Sequence, residues 1–291
     1  MSLGVDDVEV EIEAEAPACG SAVGRVVAAG ERAIVLAGKR VLVGPLEPCG
    51  ECDVCRRGGA PVCPLAKRRR DLGARRSLAA ARWAVALGDG IELPLPAAAA
   101  VAGDVAVAYT MYARTGIGPR EPAVVTGASA VARFVVEILA AKGVTPTVVA
   151  DPAAAAWCDW LLAKGAIVSR VPAGTTDEEA RHTVATALRA AAADPGPGAP
   201  ETAGKPWRVF ACGDHARAHA LAGPRATLTA LTPSPPVPGE LIAREVTIIG
   251  VAGAHPDLVV EAAAMCVKRE IDLAGGVTGD RGDPTRTFVQ I

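Results

Sequence analysis

The sequence predicts an α/β protein: a doubly wound parallel sheet preceded by a cysteine-rich lobe that binds a metal. Three observations predict it. Short apolar runs alternate with helical segments from residue 121 to residue 269. Four cysteines, Cys49, Cys52, Cys55 and Cys63, fall within 15 residues. The chain of 291 residues is 51% hydrophobic and 21% charged, enough for one large or two ordinary cores and too apolar for disorder.

The alternation justifies the sheet element by element. Glu121–Thr126 is a short apolar strand, followed by Gly127 and a helix over Ala130–Lys142. Thr145–Ala150 is a second strand that ends at Asp151-Pro152, and Ala153–Lys164 is a helix stopped by Gly165. Ile167–Val171 is a third strand. Thr176 with Glu179 forms a capping box for a helix to about Ala193. Asp194–Pro206 is rich in Pro and Gly and reads as a loop. Trp207–Cys212, a short helix over His215–Leu221, Ala226–Leu231, a proline-rich turn at Pro233–Pro238, Val246–Val251 and a helix from Pro256 to about Arg269 complete the series. Aromatic residues make up only 3% of the chain, so Ala, Val and Leu must build the core.

The spacing Cys-x2-Cys-x2-Cys-x7-Cys in a glycine-rich loop (Gly50, Gly58, Gly59) fits one tetrahedral zinc held by four thiolates. Neighbours two residues apart in a tight loop cannot all pair as disulfides. Four thiolates leave no open position, so such a zinc is structural. Cys158, Cys212 and Cys266 sit in apolar segments and read as small core residues.

Thirty Lys/Arg against 32 Asp/Glu give a net charge of −2, which is no polyanion binder. The charges are unevenly placed: Asp6, Asp7, Glu9, Glu11, Glu13 and Glu15 precede the cysteines, while Lys67–Arg70, Arg75, Arg76 and Arg82 follow. Without interleaved aromatics or a recognition-helix pattern, this reads as a solvated face or a cradle for a phosphorylated substrate rather than a nucleic-acid surface. No uncharged apolar stretch approaches the ~18 residues of a membrane span. Met1–Glu15 is acidic and lacks a secretory pattern, so a soluble, cytoplasmic protein is expected.

The turn after the first strand of the sheet is where a dinucleotide would sit. Of the pattern Gly-x-Gly-x-x-Gly, Gly127-Ala128-Ser129-Ala130-Val131-Ala132 keeps the first glycine. Ser129 is small and offers a hydroxyl to a phosphate, and Ala132 is an accepted third member. Asp151, at the end of the second strand, suits the ribose hydroxyls of NAD and would repel the 2′-phosphate of NADP.

Together these features resemble the zinc-containing medium-chain alcohol dehydrogenases over nearly the whole chain. Gly38–Cys55 is similar to that family's structural-zinc loop, Val8–Ser21 to the strand and turn delivering its first catalytic zinc ligand, and Ala100–Arg114 to the helix entering its cofactor domain. Pro206–Phe210, Ala226–Leu228, Thr232–Pro235 and Gly239–Leu273 are similar to the cofactor half of the 6-hydroxycyclohex-1-ene-1-carbonyl-CoA dehydrogenases within it. The resemblance implies a Rossmann domain over 100–275 and a truncated GroES-like domain over 1–99, completed by 276–291. It implies NAD as cofactor, and a secondary or cyclic alcohol, or an alicyclic CoA thioester, as substrate. It also implies a homodimer or homotetramer formed through Val246–Val251. Cys19 and Asp104 fall at the first and third catalytic ligand positions, or are remnants of them.

The departures are as informative. The family's opening strands are absent, and nothing between Ser21 and Val23 holds its catalytic His and Glu. All four histidines (His182, His215, His219 and His255) lie in the cofactor half. A catalytic zinc is therefore expected to be missing, leaving Tyr109 or Tyr112 to hydrogen-bond the alcohol oxygen, or to pack at a domain interface. The alternatives are a catalytically silent relative that binds a nucleotide or serves assembly, and a zinc-lobe nucleic-acid module.

Overall fold

The computed structural model describes residues 3–17, 19–68, 74–88, 93–193, 207–231, 239–280 and 282–289. The loops expected at Asp194–Pro206 and Pro233–Pro238, and Arg69 and Arg70, lie outside them. By contact density the chain divides into two units, one of residues 1–110 with 252–291 and one of 111–251. The sequence reading had set these boundaries at 99/100 and 275/276.

The first unit is built on an antiparallel half-barrel sheet of the GroES-like kind. It contains β1 (Asp7–Ala16), β2 (Ser21–Ala29), β3 (Arg40–Val43), the short β4 (Leu46–Glu47), α1 (Asp53–Arg56), β5 (Lys67–Arg68), β6 (Arg76–Ala80) and β7 (Ala84–Ala86). The large sheet runs β6-β1-β2-β3-β7, and β4 pairs with β5. Along β1, Val8 and Val10 are buried while Glu9 and Glu11 face outward, the alternation of a sheet wet on one side. Register shifts at Glu9/Val10 and Ile12/Ala14 add the local twist that curls it. The acidic outer row meets two residues of the basic block, Arg75 with Glu11 at 3.2 Å and Arg76 with Glu9 at 3.5 Å, and also Arg40 of β3, with Glu13 at 2.7 Å. The uneven charge of the sequence is thus interleaved across strands.

After the sheet comes α2 (Leu95–Ala100), a π-turn over Val101–Val105, and α3 (Ala106–Thr115). Gly103, at φ −111° and ψ −106°, breaks what the sequence presents as one helix. The 21-residue run Leu95–Thr115 is long and apolar enough to cross a membrane by length and composition, but 72% of its most apolar window is buried in the fold. It is a core helix.

The second unit is the doubly wound sheet. Its strands are β8 (Ala123–Thr126), β9 (Pro146–Ala150), β10 (Ile167–Arg170), β11 (Arg208–Ala211), β12 (Thr227–Leu231) and β13 (Thr247–Val251), in the order β10-β9-β8-β11-β12-β13 and all parallel. Every residue of β8 and β9 is buried, as strands covered on both faces require. The helices are α4 (Ala130–Ala141), α5 (Ala155–Ala163), α6 (Asp177–Ala193), α7 (His215–Leu221) and α8 (Gly239–Ala243). The predicted capping box is formed: Thr176 N donates to Glu179 Oε2 at 3.0 Å and Glu179 N to Thr176 Oγ1 at 3.3 Å. Val124, Val209 and Leu228 of the strands pack with Val184, Leu188 and Leu221 of the helices, an aliphatic core as the composition demands. β13 is an edge strand with Thr247, Ile248 and Gly250 exposed.

The chain then returns to the first unit with α9 (Pro256–Val267), β14 (Val277–Thr278) and β15 (Thr287–Phe288). Cys158, Cys212 and Cys266 are buried and unbonded to one another, as expected of core residues.

Candidate functional site

The cysteine lobe is the best-formed site. Its four sulfurs lie within 4.8 Å of one another. Cys49 and Cys55 are 4.0 Å apart, Cys52 and Cys63 3.8 Å, and Cys63 and Cys49 3.6 Å. A Zn–S bond of about 2.3 Å places the edges of a regular tetrahedron at about 3.8 Å, so the sulfurs already stand where a tetrathiolate zinc needs them. These separations are about twice a disulfide bond. The charge state agrees: backbone N–H groups of Glu51 and Cys52 hold Cys49 down to about 6, while burial and the neighbouring thiols push Cys55 up to about 12. Four sulfurs this close cannot all ionise without a cation among them.

Local sequence explains how the loop is held. Gly50 takes φ +74°, a left-handed turn natural to glycine, and leaves room for Arg82, whose Nη2 donates to Cys49 O at 2.6 Å. The indole of Trp83 donates to Pro48 O at 2.8 Å. Arg82 and Trp83 clamp the first ligand from outside the cysteine pattern, and the motif gave no sign of either.

The second place is where the catalytic ligands were expected. Cys19 and Asp104 come together at the π-turn. Cys19 Sγ lies 3.0 Å from Ser21 Oγ and 3.5 Å from Ala16 O, and Ser21 Oγ donates to Ala99 O at 2.7 Å. The thiol sits against Gly103, where an added Cβ would lie 2.3 Å from Cys19 Sγ and 2.5 Å from Ser21 Oγ. Asp104 Oδ2 accepts from the buried Thr287 hydroxyl at 2.7 Å. Burial, with the charge of Asp104 behind it, pushes the Cys19 thiol up to about 12. Burial also raises the Asp104 carboxyl above its ordinary range. Two donors fall short of the about three protein ligands of a catalytic zinc. Among the described residues, only the lobe gathers three or more metal-binding groups.

The Tyr109 hydroxyl donates to Glu261 of α9. Thr287 and Glu261 were both missed. They lie 183 and 152 residues from their partners, and neither stands in a recognisable pattern.

The third place is the first β-α turn of the second unit. The sheet reverses its winding between β8 and β11, the position at which doubly wound sheets bind ligands beyond the strand ends. Gly127 has φ +96°, and a Cβ there would meet Cys212 O at 2.7 Å and Asp214 N at 3.0 Å. Its glycine lets the two turns touch. Ser129, expected to offer its hydroxyl to a phosphate, here donates Oγ to Cys212 O at 2.7 Å and accepts from Ala132 N at 3.1 Å. Its proton is spent, and it is the N-cap of α4. Ala132 is fully buried, as tight helix packing requires. Asp151 is exposed just after β9, with Oδ1 accepting from Ala153 N at 2.9 Å.

No family model and no curated protein matches the chain. Solved structures do. Galactitol-1-phosphate dehydrogenase from Escherichia coli superposes with a TM-score of 0.75 at 15% identity, over 96% of this chain and 86% of that one. A short chain alcohol dehydrogenase from Escherichia coli CFT073, solved with NADH, gives 0.73 at 15% identity, over 96% and 85%. D-arabinose dehydrogenase from Sulfolobus solfataricus gives 0.70 at 16% identity, over 93% and 90%. At these identities the likeness is one of fold: the chain shares the architecture of these dehydrogenases, and its cysteine lobe is shaped for a structural zinc.

Proposed function

We propose that the chain is an NAD-dependent oxidoreductase of the alcohol dehydrogenase type, taking hydride from a secondary or cyclic alcohol without a catalytic zinc. One observation carries it: Asp151 follows β9, whose Val149 pairs with Thr126 of β8 just ahead of the Gly127 turn, in a sheet of dinucleotide-binding order. NAD, when bound, supplies the hydride acceptor. Asp151 would accept hydrogen bonds from the ribose hydroxyls and disfavour NADP. With Ala132 N engaged by Ser129, the first N–H groups of α4 are left for the pyrophosphate. Tyr109, braced by Glu261, is the candidate to hydrogen-bond the alcohol oxygen.

Support for a missing metal lies in the Cys19–Asp104 pair, two donors already bonded within the protein. An alicyclic CoA thioester is the narrower substrate reading, and it rests on sequence resemblance alone. The exposed edge of β13 suits pairing with a second copy, giving a dimer or tetramer, and a cytoplasmic location fits such an enzyme.

Calorimetric titration with NAD and NADP, followed by NADH formation from cyclic alcohols, tests the reading. NAD should bind more tightly than NADP, and Asp151→Ala should weaken NAD about tenfold or more. Tyr109→Phe should lower kcat with little change in KM. A second reading, a silent nucleotide-binding relative, is favoured by the closed bonding of Cys19, Asp104 and Tyr109. NAD binding without turnover of any alcohol would select it.

A further inference from the structure

In the second unit, α7 buries Ala218 and Ala222 in the aliphatic core, and two histidines stand on that same side of the helix. They are His215 and His219, four residues apart. His219 is buried; His215 is half-buried, with its Nδ1 sealed from solvent and unpartnered. Neither imidazole makes a hydrogen bond to another of the described residues. A polar group held in an interior without a partner is costly, and here two such rings adjoin on one face of one helix.

The backbone holds the pair still. Asp214 Oδ1 caps α7 by accepting from Arg217 N at 3.0 Å, and Thr126 Oγ1 donates to Asp214 O at 2.8 Å. Arg217 donates through both Nη atoms to Thr175 O at 3.2 Å, and Arg181 Nε of α6 donates to Ala220 O. Residues four apart on a helix have Cβ atoms about 5–6 Å apart. That is the spacing at which two imidazoles on one helix face can share a single zinc.

We infer that His215 and His219 form a binding site for a divalent transition-metal ion of the imidazole-preferring class, with water in its remaining positions. Copper(II), nickel(II), cobalt(II) and zinc(II) belong to that class, and the donor set selects it. Two neutral nitrogens bring no carboxylate and no charge, which excludes calcium and magnesium, cations that demand oxygen. Burial first, and then the proximity of His215, lowers the His219 pKa below its usual 6.5, so that ring is neutral near pH 7 and its lone pair is open. The Cys19–Asp104 pair differs, because its donors are already bonded within the protein. The site takes no part in the hydride chemistry proposed above and stands independently of it.

The test uses the full-length chain without an affinity tag, its lobe loaded with zinc, and nickel(II) as the probe. Calorimetric titration gives stoichiometry and affinity, and zinc is assayed before and after. One nickel per chain is expected to bind saturably, to leave the lobe's zinc in place and to raise Tm as its concentration rises. Magnesium should do none of this. His215→Ala and His219→Gln should each weaken nickel binding at least tenfold, while His182→Ala and His255→Ala leave it unchanged. Should His219→Gln fail to fold, the half-buried His215 still supplies the test, and paramagnetic broadening of the His215 and His219 ring signals reports on the wild type directly. No saturable nickel binding would overturn the proposal. So would nickel bound only by displacing zinc, binding undiminished in His215→Ala, equal binding of magnesium, or binding lost instead in His182→Ala or His255→Ala.

Discussion

Two sulfur-bearing sites stand in the same unit and have opposite characters. In the lobe, four thiols crowd within 4.8 Å, with backbone N–H groups reaching Cys49 and Cys55. At the π-turn, one thiol and one carboxyl are each paired, Cys19 with Ser21 and Asp104 with Thr287. The first arrangement is unstable without a cation, because its sulfurs repel once ionised. The second is complete without one, because both groups are stable in the neutral form that burial favours. The same unit thus holds a cluster shaped for a structural metal and a pair of donors hydrogen-bonded within the protein. What separates them is the supply of partners: a cluster of like donors in the lobe, and donors matched with acceptors at the π-turn.

The sharpest way to break this contrast is to remove metal. Chelation, or Cys52→Ser, should take zinc from about one per chain to none and unfold the lobe, since structural zinc in small modules contributes about 10 kcal/mol or more. Cys19→Ser should leave the zinc content unchanged. Metal analysis beside circular dichroism decides it, and a second zinc lost with Cys19 would collapse the distinction. Next in size is Gly103→Ala. Its Cβ would be driven to 2.3 Å from the Cys19 sulfur, and overpacking of this kind costs about 1–3 kcal/mol. Denaturant titration should show the loss, with the lobe's zinc retained. The double variant with Cys19→Ala should recover part of it, since the clash is with that side chain.

How far the sequence foretold each site follows from the same contrast. The lobe was legible because its ligands are local, four cysteines in one loop whose spacing states the geometry. The winding of the second unit was legible too, because each strand carries its own apolar run and each helix its own stop, as at Thr176 with Glu179 and at Gly165. The π-turn was half legible. Cys19 and Asp104 stood at positions a resemblance marks, yet Thr287, which turns Asp104 into a closed pair, comes from the far end of the chain. Gly103 carried a signal in retrospect, as a glycine inside an apolar helical run. Ser129 has a partner in the chain that the sequence did not reveal. Sequence shows that a small hydroxyl follows Gly127, but not that the carbonyl of Cys212, on another strand, lies 2.7 Å away to take its proton.

That bond makes the next prediction. If Ser129 is a cap, Ser129→Ala should cost about 1 kcal/mol of stability through the freed Ala132 N–H. NAD affinity should change less than it does in Asp151→Ala. A loss of NAD binding out of proportion to the loss of stability would restore the hydroxyl as a phosphate donor.

The smallest effect concerns a titration in the second unit, and it extends the comparison of satisfied and unsatisfied groups beyond sulfur. His219 on α7 is 8% exposed, and burial, with His215 one turn away adding to it, lowers its pKa below the usual 6.5. The unfolded chain therefore takes up a proton at a higher pH than the folded one does. Stability is complete above the unfolded value and falls as pH drops through it toward the folded value, because protonation favours the state in which the imidazole is solvated. Unfolding free energy measured between pH 7.5 and pH 5 should decline in this window for the wild type. His219→Gln should flatten the decline by no more than about 1 kcal/mol, since other groups titrate nearby. A wild-type curve that instead rises as the pH is lowered would mean that the folded chain holds the imidazolium, and that α7 is solvated where it is drawn buried.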